Sequence, residues 1–280
     1  MSRWRWLPQP PGPLAVAVTG PAAAPPVVLL HGFLADGRAW RDVVNGPNLP
    51  PRRWLAVDLP GHGRSAGIAL AKSENPWLAL LDLLDRSLSN TLHGPFALVG
   101  YSAGGRVATW WALHGQLSQK LGISALVLES AHPGLLDVER PARLAQDQQR
   151  ARDLASHGLT AFVDAWQRLP LFASQLGCDQ TTLCKQRRLR LAQTASGLVD
   201  HLQTLGNGAM PRLDTLPPRT HLPAIVLSGQ LDTAYCALLP RWSQLLPAAQ
   251  LRVVAGAGHN VHLEAPGPWQ HAVAEALGGQ

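Results

Sequence analysis

Between an apolar run, Phe96–Val99, and a helix-forming stretch, Ala103–His114, the chain reads Gly100-Tyr101-Ser102-Ala103-Gly104. A G-x-S-x-G step from strand to helix constrains far more than a local turn. The serine must occupy a strained position, and a glycine on either side lets neighbouring backbone come close. The helix behind it aims its first N–H groups at any negative charge that forms on Ser102. A glycine-rich turn with an incidental serine would need neither the strand before it nor the helix after it.

The same alternation runs along the chain. Short apolar segments at Leu14–Val18, Val27–Leu30, Trp54–Val57, Phe96–Val99, Ala125–Leu128, Ala224–Leu227 and Leu251–Val254 read as strands separated by helices. That order predicts an α/β fold, a mostly parallel sheet flanked by helices. HGF, DLPGHG and GYSAGG follow the second, third and fourth strands, so these turns should meet at the carboxyl end of the sheet. From His132 to His221 no strand is evident, and helices are expected over Val138–His157, Leu159–Trp166 and Asp179–Leu205. A stretch this long is more than a connector. The expected organisation is therefore a core of residues 1–131 and 221–280, with residues 132–220 inserted as a helical cap.

Composition narrows the class. With 46% hydrophobic and 15% charged residues in 280, the chain can bury a large core and need not be disordered. Its apolar runs are strand-sized, too short to cross a bilayer, and Arg3 and Arg5 have no apolar segment behind them. A cytoplasmic location without membrane association is expected. Cys178, Cys184 and Cys236 are odd in number and lack metal-ligand spacing, which argues for a reducing compartment and against a disulfide framework. The net charge of +6 comes largely from arginines spread through helices between Arg140 and Arg190. That spread suits a small anionic ligand better than nucleic acid. Asp36, Asp58 and the histidines form no metal-ligand cluster, and neither GxGxxG nor a Walker loop occurs, so no metal and no cofactor are expected.

A serine is a weak nucleophile or base until a histidine, itself oriented by a carboxylate, takes its proton. In the α/β-hydrolase fold the chain order is serine, acid, histidine. His259, in Gly256-Ala257-Gly258-His259-Asn260 after the last strand, is the candidate histidine, with His262 its competitor and His271 farther off. Asp232, just past the strand Ala224–Leu227, is the candidate acid, while Asp200 and Asp214 follow no core strand. Backbone N–H groups of Phe33 and Ala103 would form the oxyanion hole, where losing one donor costs about 2.7–4 kcal/mol. His31 and His62 read as braces for their loops, and Trp110-Trp111 as core packing behind the elbow.

Beyond these shared motifs lie more specific ones: Glu129-Ser130-Ala131-His132-Pro133-Gly134-Leu135, Leu171-Phe172-Ala173-Ser174, Gly206-Asn207-Gly208-Ala209-Met210-Pro211 and Gly258-His259-Asn260-Val261-His262-Leu263-Glu264. From Val27 to Glu264 the chain resembles the 2-succinyl-6-hydroxy-2,4-cyclohexadiene-1-carboxylate synthases of bacterial menaquinone biosynthesis. The resemblance implies a lyase that releases pyruvate from an enolpyruvyl ether. In it Ser102 would be the proton-abstracting base, His259 its relay and Asp232 the group that fixes the imidazole. It also implies that Arg106, Arg143 and Arg190 bind the carboxylates of a polycarboxylate substrate, with Tyr101 and Trp166 lining the pocket. Arg140 is an alternate for Arg143, and Arg187 and Arg188 are alternates for Arg190. Thr233-Ala234-Tyr235 departs from the Lys-aromatic pair that often follows the family's acid, and Pro141 would be tolerated only near a helix start. The competing reading is a serine carboxylesterase or carbon–carbon-bond hydrolase working through an acyl-enzyme. A non-catalytic binding protein would not need the three triad residues in this order.

Overall fold

The computed structural model describes residues 4–7, 13–213 and 221–278. Eight strands form one sheet in the order β1-β2-β4-β3-β5-β6-β7-β8. They are β1 (Arg5–Trp6), β2 (Val16–Thr19), β3 (Pro26–Leu30), β4 (Arg53–Val57), β5 (Phe96–Tyr101), β6 (Ile123–Glu129), β7 (Ala224–Gly229) and β8 (Gln250–Val254). All seven expected strands are present. The additional strand, β1, pairs Arg5 with Val18 and Trp6 with Ala17, a two-residue contact with no periodicity to announce it. β1, β2 and β4 are joined antiparallel, and every pairing from β4 to β8 is parallel.

Side chains alternate across the sheet, so neighbouring residues of one strand enter different cores. Val28 and Leu30 of β3 pack with Leu80, Leu84 and Trp111 on the face covered by α1 (Pro76–Leu88), α2 (Ala103–His114) and α3 (Gln116–Leu121). α8 (Leu239–Leu245) buries Trp242 on that same face. Val27 and Leu29 pack with Trp40, Trp269 and Val273 on the face covered by α10 (Pro266–Ala276). Two helices of one turn, α7 (Thr233–Cys236) and α9 (Val261–Glu264), carry the chain away from the site loops after β7 and β8.

Between β6 and β7 the described chain is helical: α4 (Arg140–Gln167), a 3-10 stretch at Pro170–Gly177, α5 (Gln180–Leu191) and α6 (Ala195–Thr204). Pro141 sits in the first turn of α4, where its missing N–H costs nothing. Gly158, at φ 78°, breaks α4 where two helices were expected to meet. One expectation fails here. The continuous helix over Asp179–Leu205 is two helices, because Thr194 caps α6 by accepting from the Gly197 N–H at 3.3 Å. The Gln193 side chain, in the gap, turns to the core and donates to Asp36 at 2.9 Å. Asp214 lies outside the described residues. No helix among the described residues is long and apolar enough to cross a membrane.

Candidate active site

The elbow has the strain its motif demands. Ser102 sits at φ 51° and ψ −112°, a region that L residues avoid unless the surroundings enforce it. A side chain on Gly100 would meet the Gly104 carbonyl at 2.5 Å, and one on Gly104 would meet the Leu30 carbonyl at 2.1 Å. Only glycine fits at both positions. Ser102 is thereby held above the carboxyl end of β5, at the N-terminus of α2.

His259 and Asp232 reach it from the loops after β8 and β7. The imidazole Nδ1 lies 2.7 Å from Asp232 Oδ2, and Nε2 lies 3.0 Å from Ser102 Oγ. Asp232 also caps α7 by accepting the Tyr235 N–H at 3.3 Å. The histidine ring is buried among Tyr235, Tyr101 and Phe172, at centroid distances of 4.6, 5.5 and 5.9 Å. The competing histidine is spoken for: His262 Nδ1 pairs with the fully buried Glu129 at 2.8 Å, and its main-chain N–H donates there too. Asp200 is likewise engaged, accepting the Leu70 and Ala71 N–H groups at 2.9 Å each. His31 braces the HGF loop, donating from Nδ1 to the Gly32 carbonyl and accepting the Leu59 N–H at Nε2. His62 is bonded to the Pro60 carbonyl.

Ser102 and His259 open on a chamber of about 70 Å³ that Phe33 and Ala103 also line. Arg106 and Arg143 face it. Arg106, one turn into α2, is buried and donates to the Leu205 carbonyl at 2.9 Å. Burial pushes its guanidinium down to about 10, which leaves it charged near neutrality. Arg143 donates from Nε to Asp147 at 3.1 Å. Tyr101, Trp166, Phe33 and Phe172 form a wall shared with a larger neighbouring cavity of about 640 Å³. Arg190 is on the far side of that wall. It is buried over the Phe172 ring at 5.1 Å, its Nη1 has no partner, and burial pushes it down to about 10. The alternates are placed elsewhere. Arg140 donates to the Gly208 and Met210 carbonyls, Arg187 pairs with Asp164, and Arg188 is exposed at the rim of the larger cavity.

Among the chamber residues to which the sequence reading gave no role are Tyr235, His201, Arg150 and Asp147. Arg150 follows Arg143 by two helical turns, the spacing that returns a side chain to the same face. Tyr235 had a fainter signal, as an aromatic one turn past the acid. His201 had none. No group of three or more possible metal ligands occurs among the described residues.

The alpha/beta hydrolase fold family matches residues 25–266 of the chain. The chain belongs to that family. It is 34% identical over 259 residues to the 2-succinyl-6-hydroxy-2,4-cyclohexadiene-1-carboxylate synthase of Enterobacter sp. (strain 638), covering 92% of this chain and 93% of that relative. Identity to the enzyme of the same name from Escherichia coli (strain SE11) is also 34%, over 253 residues, 90% of this chain and 93% of the relative. These matches place it among the synthases that its motifs resemble. MenH from S. aureus has the same architecture, with a TM-score of 0.83 and 27% identity over 99% of this chain and 98% of that one. A thermophilic esterase from Thermogutta terrifontis superimposes with a TM-score of 0.77 at 22% identity over 94% and 93% of the two chains, a likeness of fold alone.

Proposed function

We propose that this α/β-hydrolase enzyme is a lyase of menaquinone biosynthesis. It would convert 2-succinyl-5-enolpyruvyl-6-hydroxy-3-cyclohexene-1-carboxylate into 2-succinyl-6-hydroxy-2,4-cyclohexadiene-1-carboxylate and pyruvate. The observation that carries the proposal is the Ser102–His259–Asp232 relay opening on a chamber faced by Arg106 and Arg143. A neutral lipophilic ester has no use for guanidiniums facing its pocket, whereas a polycarboxylate does.

The two ring names fix the electron flow. A proton leaves C2, the ring double bond moves from C3–C4 so that C2–C3 and C4–C5 become double, and the C5–O bond breaks. His259 takes the Ser102 proton as Asp232 holds its ring, and Ser102 Oγ removes the C2 proton. Charge develops on the succinyl carbonyl oxygen, where the Phe33 and Ala103 N–H groups would receive it. The departing enolate of pyruvate collects a proton and leaves as pyruvate. No acyl-serine forms.

The test is incubation of the purified protein with the enolpyruvyl substrate, following pyruvate by a coupled assay and the diene by its ultraviolet absorbance. Turnover is expected, and Ser102→Ala should lower kcat by about 10³-fold or more. Rapid ester hydrolysis with a trapped acyl-serine and no pyruvate would replace this reading with that of a hydrolase.

A further inference from the structure

Arg150 has one long ion pair, to a carboxylate that it shares with Arg143. Its side chain is only 20% exposed, and its nearest carboxylate oxygen, Asp147 Oδ1, is 3.6 Å away, beyond hydrogen-bond distance. That oxygen already accepts from Arg143 Nε at 3.1 Å, and the other carboxylate oxygen of Asp147 accepts the Gly208 N–H at 2.9 Å. The Trp166 ring, 5.3 Å from the guanidinium carbon, supports the cation without neutralising it. Arg143 and Arg150 thus share one buried carboxylate, Asp147, in the chamber that also contains Ser102 and Arg106. Asp147 lies between the two arginines on the helix face, and one carboxylate cannot fill the donor capacity of two guanidiniums, which leaves N–H groups open to a ligand anion.

We propose that Arg150 is a substrate-binding residue, and that it and Arg143 together grip one carboxylate of the ligand, each guanidinium engaging an oxygen. Asp147 orients the pair but cannot satisfy it. The identity of the anion as a carboxylate of the enolpyruvyl substrate rests on the proposed reaction; the two-arginine grip does not. A clamp of this kind is a specificity device, because a ligand without a carboxylate would leave the remaining donors of both guanidiniums unmet.

Arg150→Met keeps the chain over Trp166 and removes the charge. In steady-state kinetics with the enolpyruvyl substrate it should raise KM at least about 10-fold while kcat stays within about 3-fold. Arg150→Lys should recover part of that loss. Because one carboxylate is shared, the Arg143→Met/Arg150→Met double variant should lose less than the product of the single losses. A calorimetric titration with malonate, a plain dicarboxylate, supplies a readout independent of turnover: binding to the unmodified protein should weaken about 10-fold in Arg150→Met. If that variant is folded by circular dichroism yet keeps its KM and its malonate affinity, Arg150 is a structural residue and the proposal is wrong. Malonate binding that depends on Arg150, in a protein that releases no pyruvate, would keep the clamp and remove the proposed reaction. An unmodified protein that neither turns over nor binds malonate would overturn both.

Discussion

His201 shows most sharply what this fold spends on its site. The ring is buried at the chamber wall, and neither nitrogen has a hydrogen-bond partner. Burial, followed by the neighbouring His62 and Arg106, holds its pKa well below the usual histidine value, so the imidazole is neutral. A buried polar group without a partner costs about 1–3 kcal/mol. His201→Met, apolar and close in volume, should therefore stabilise the protein by about 1 kcal/mol, read from the urea midpoint at neutral pH. A loss of stability would show that the ring is satisfied in solution by water or by a neighbour. Single residues also show what the sequence can and cannot say. That Ser102, Asp232 and His259 would meet was legible because each follows a strand and the order is that of the fold. That His262 is structural was not legible, since its partner Glu129 stands at the end of another strand and only the folded sheet joins them.

At the scale of elements, strands were more legible than the helices between β6 and β7. A central strand buried on both faces is a short apolar run with turn chemistry after it, and β3, β5 and β7 all have that form. The split between α5 and α6 was hidden because Gln193 and Thr194 are both compatible with a helix in isolation. Tertiary contact, Gln193 with Asp36, acts together with the Thr194 cap at the break. The same seam contains a closer constraint. Gly61, at φ 78°, runs against Gly197 of α6, so a side chain on Gly197 would meet the Gly61 carbonyl at 2.2 Å. In an exposed helix, Gly→Ala gains up to about 1 kcal/mol. Here Gly197→Ala should instead destabilise by about 1–3 kcal/mol, because backbone has to move to admit the methyl group. Thermal unfolding of the variant tests this, and a raised Tm would mean that the seam is looser than the structure has it.

At the scale of the whole molecule, the helical segment between β6 and β7 is joined to the core through buried, neutral histidines, which ties stability to pH. His62 and His201 meet edge to face at 4.8 Å, one from the core loop after β4 and the other from α6. Burial, with the nearby His31 next, pushes His62 down to about 3, and His201 is also lowered. In the unfolded chain both would titrate near 6.5. Below that pH the unfolded state binds two protons that the folded state refuses, so the stabilising contribution is complete above about pH 7 and is lost as pH falls. The slope is about 1.4 kcal/mol per pH unit for each histidine. His31 adds less, because its own lowered pKa is opposed by the raised carboxyl of Asp58 beside it. Urea unfolding at pH 7.5, 6.5, 5.5 and 5.0 should therefore show stability falling by less than about 1 kcal/mol in the first interval and then by about 2–3 kcal/mol per unit. His201→Met removes one of the two protons and should roughly halve the slope while leaving the plateau higher. A slope unchanged by that substitution would move the acid sensitivity elsewhere. A flat profile down to pH 5 would mean that the two rings become charged inside the fold. Loss of the proposed pyruvate release in parallel with the unfolding signal, rather than ahead of it, would identify acid inactivation as the parting of these helices from the core.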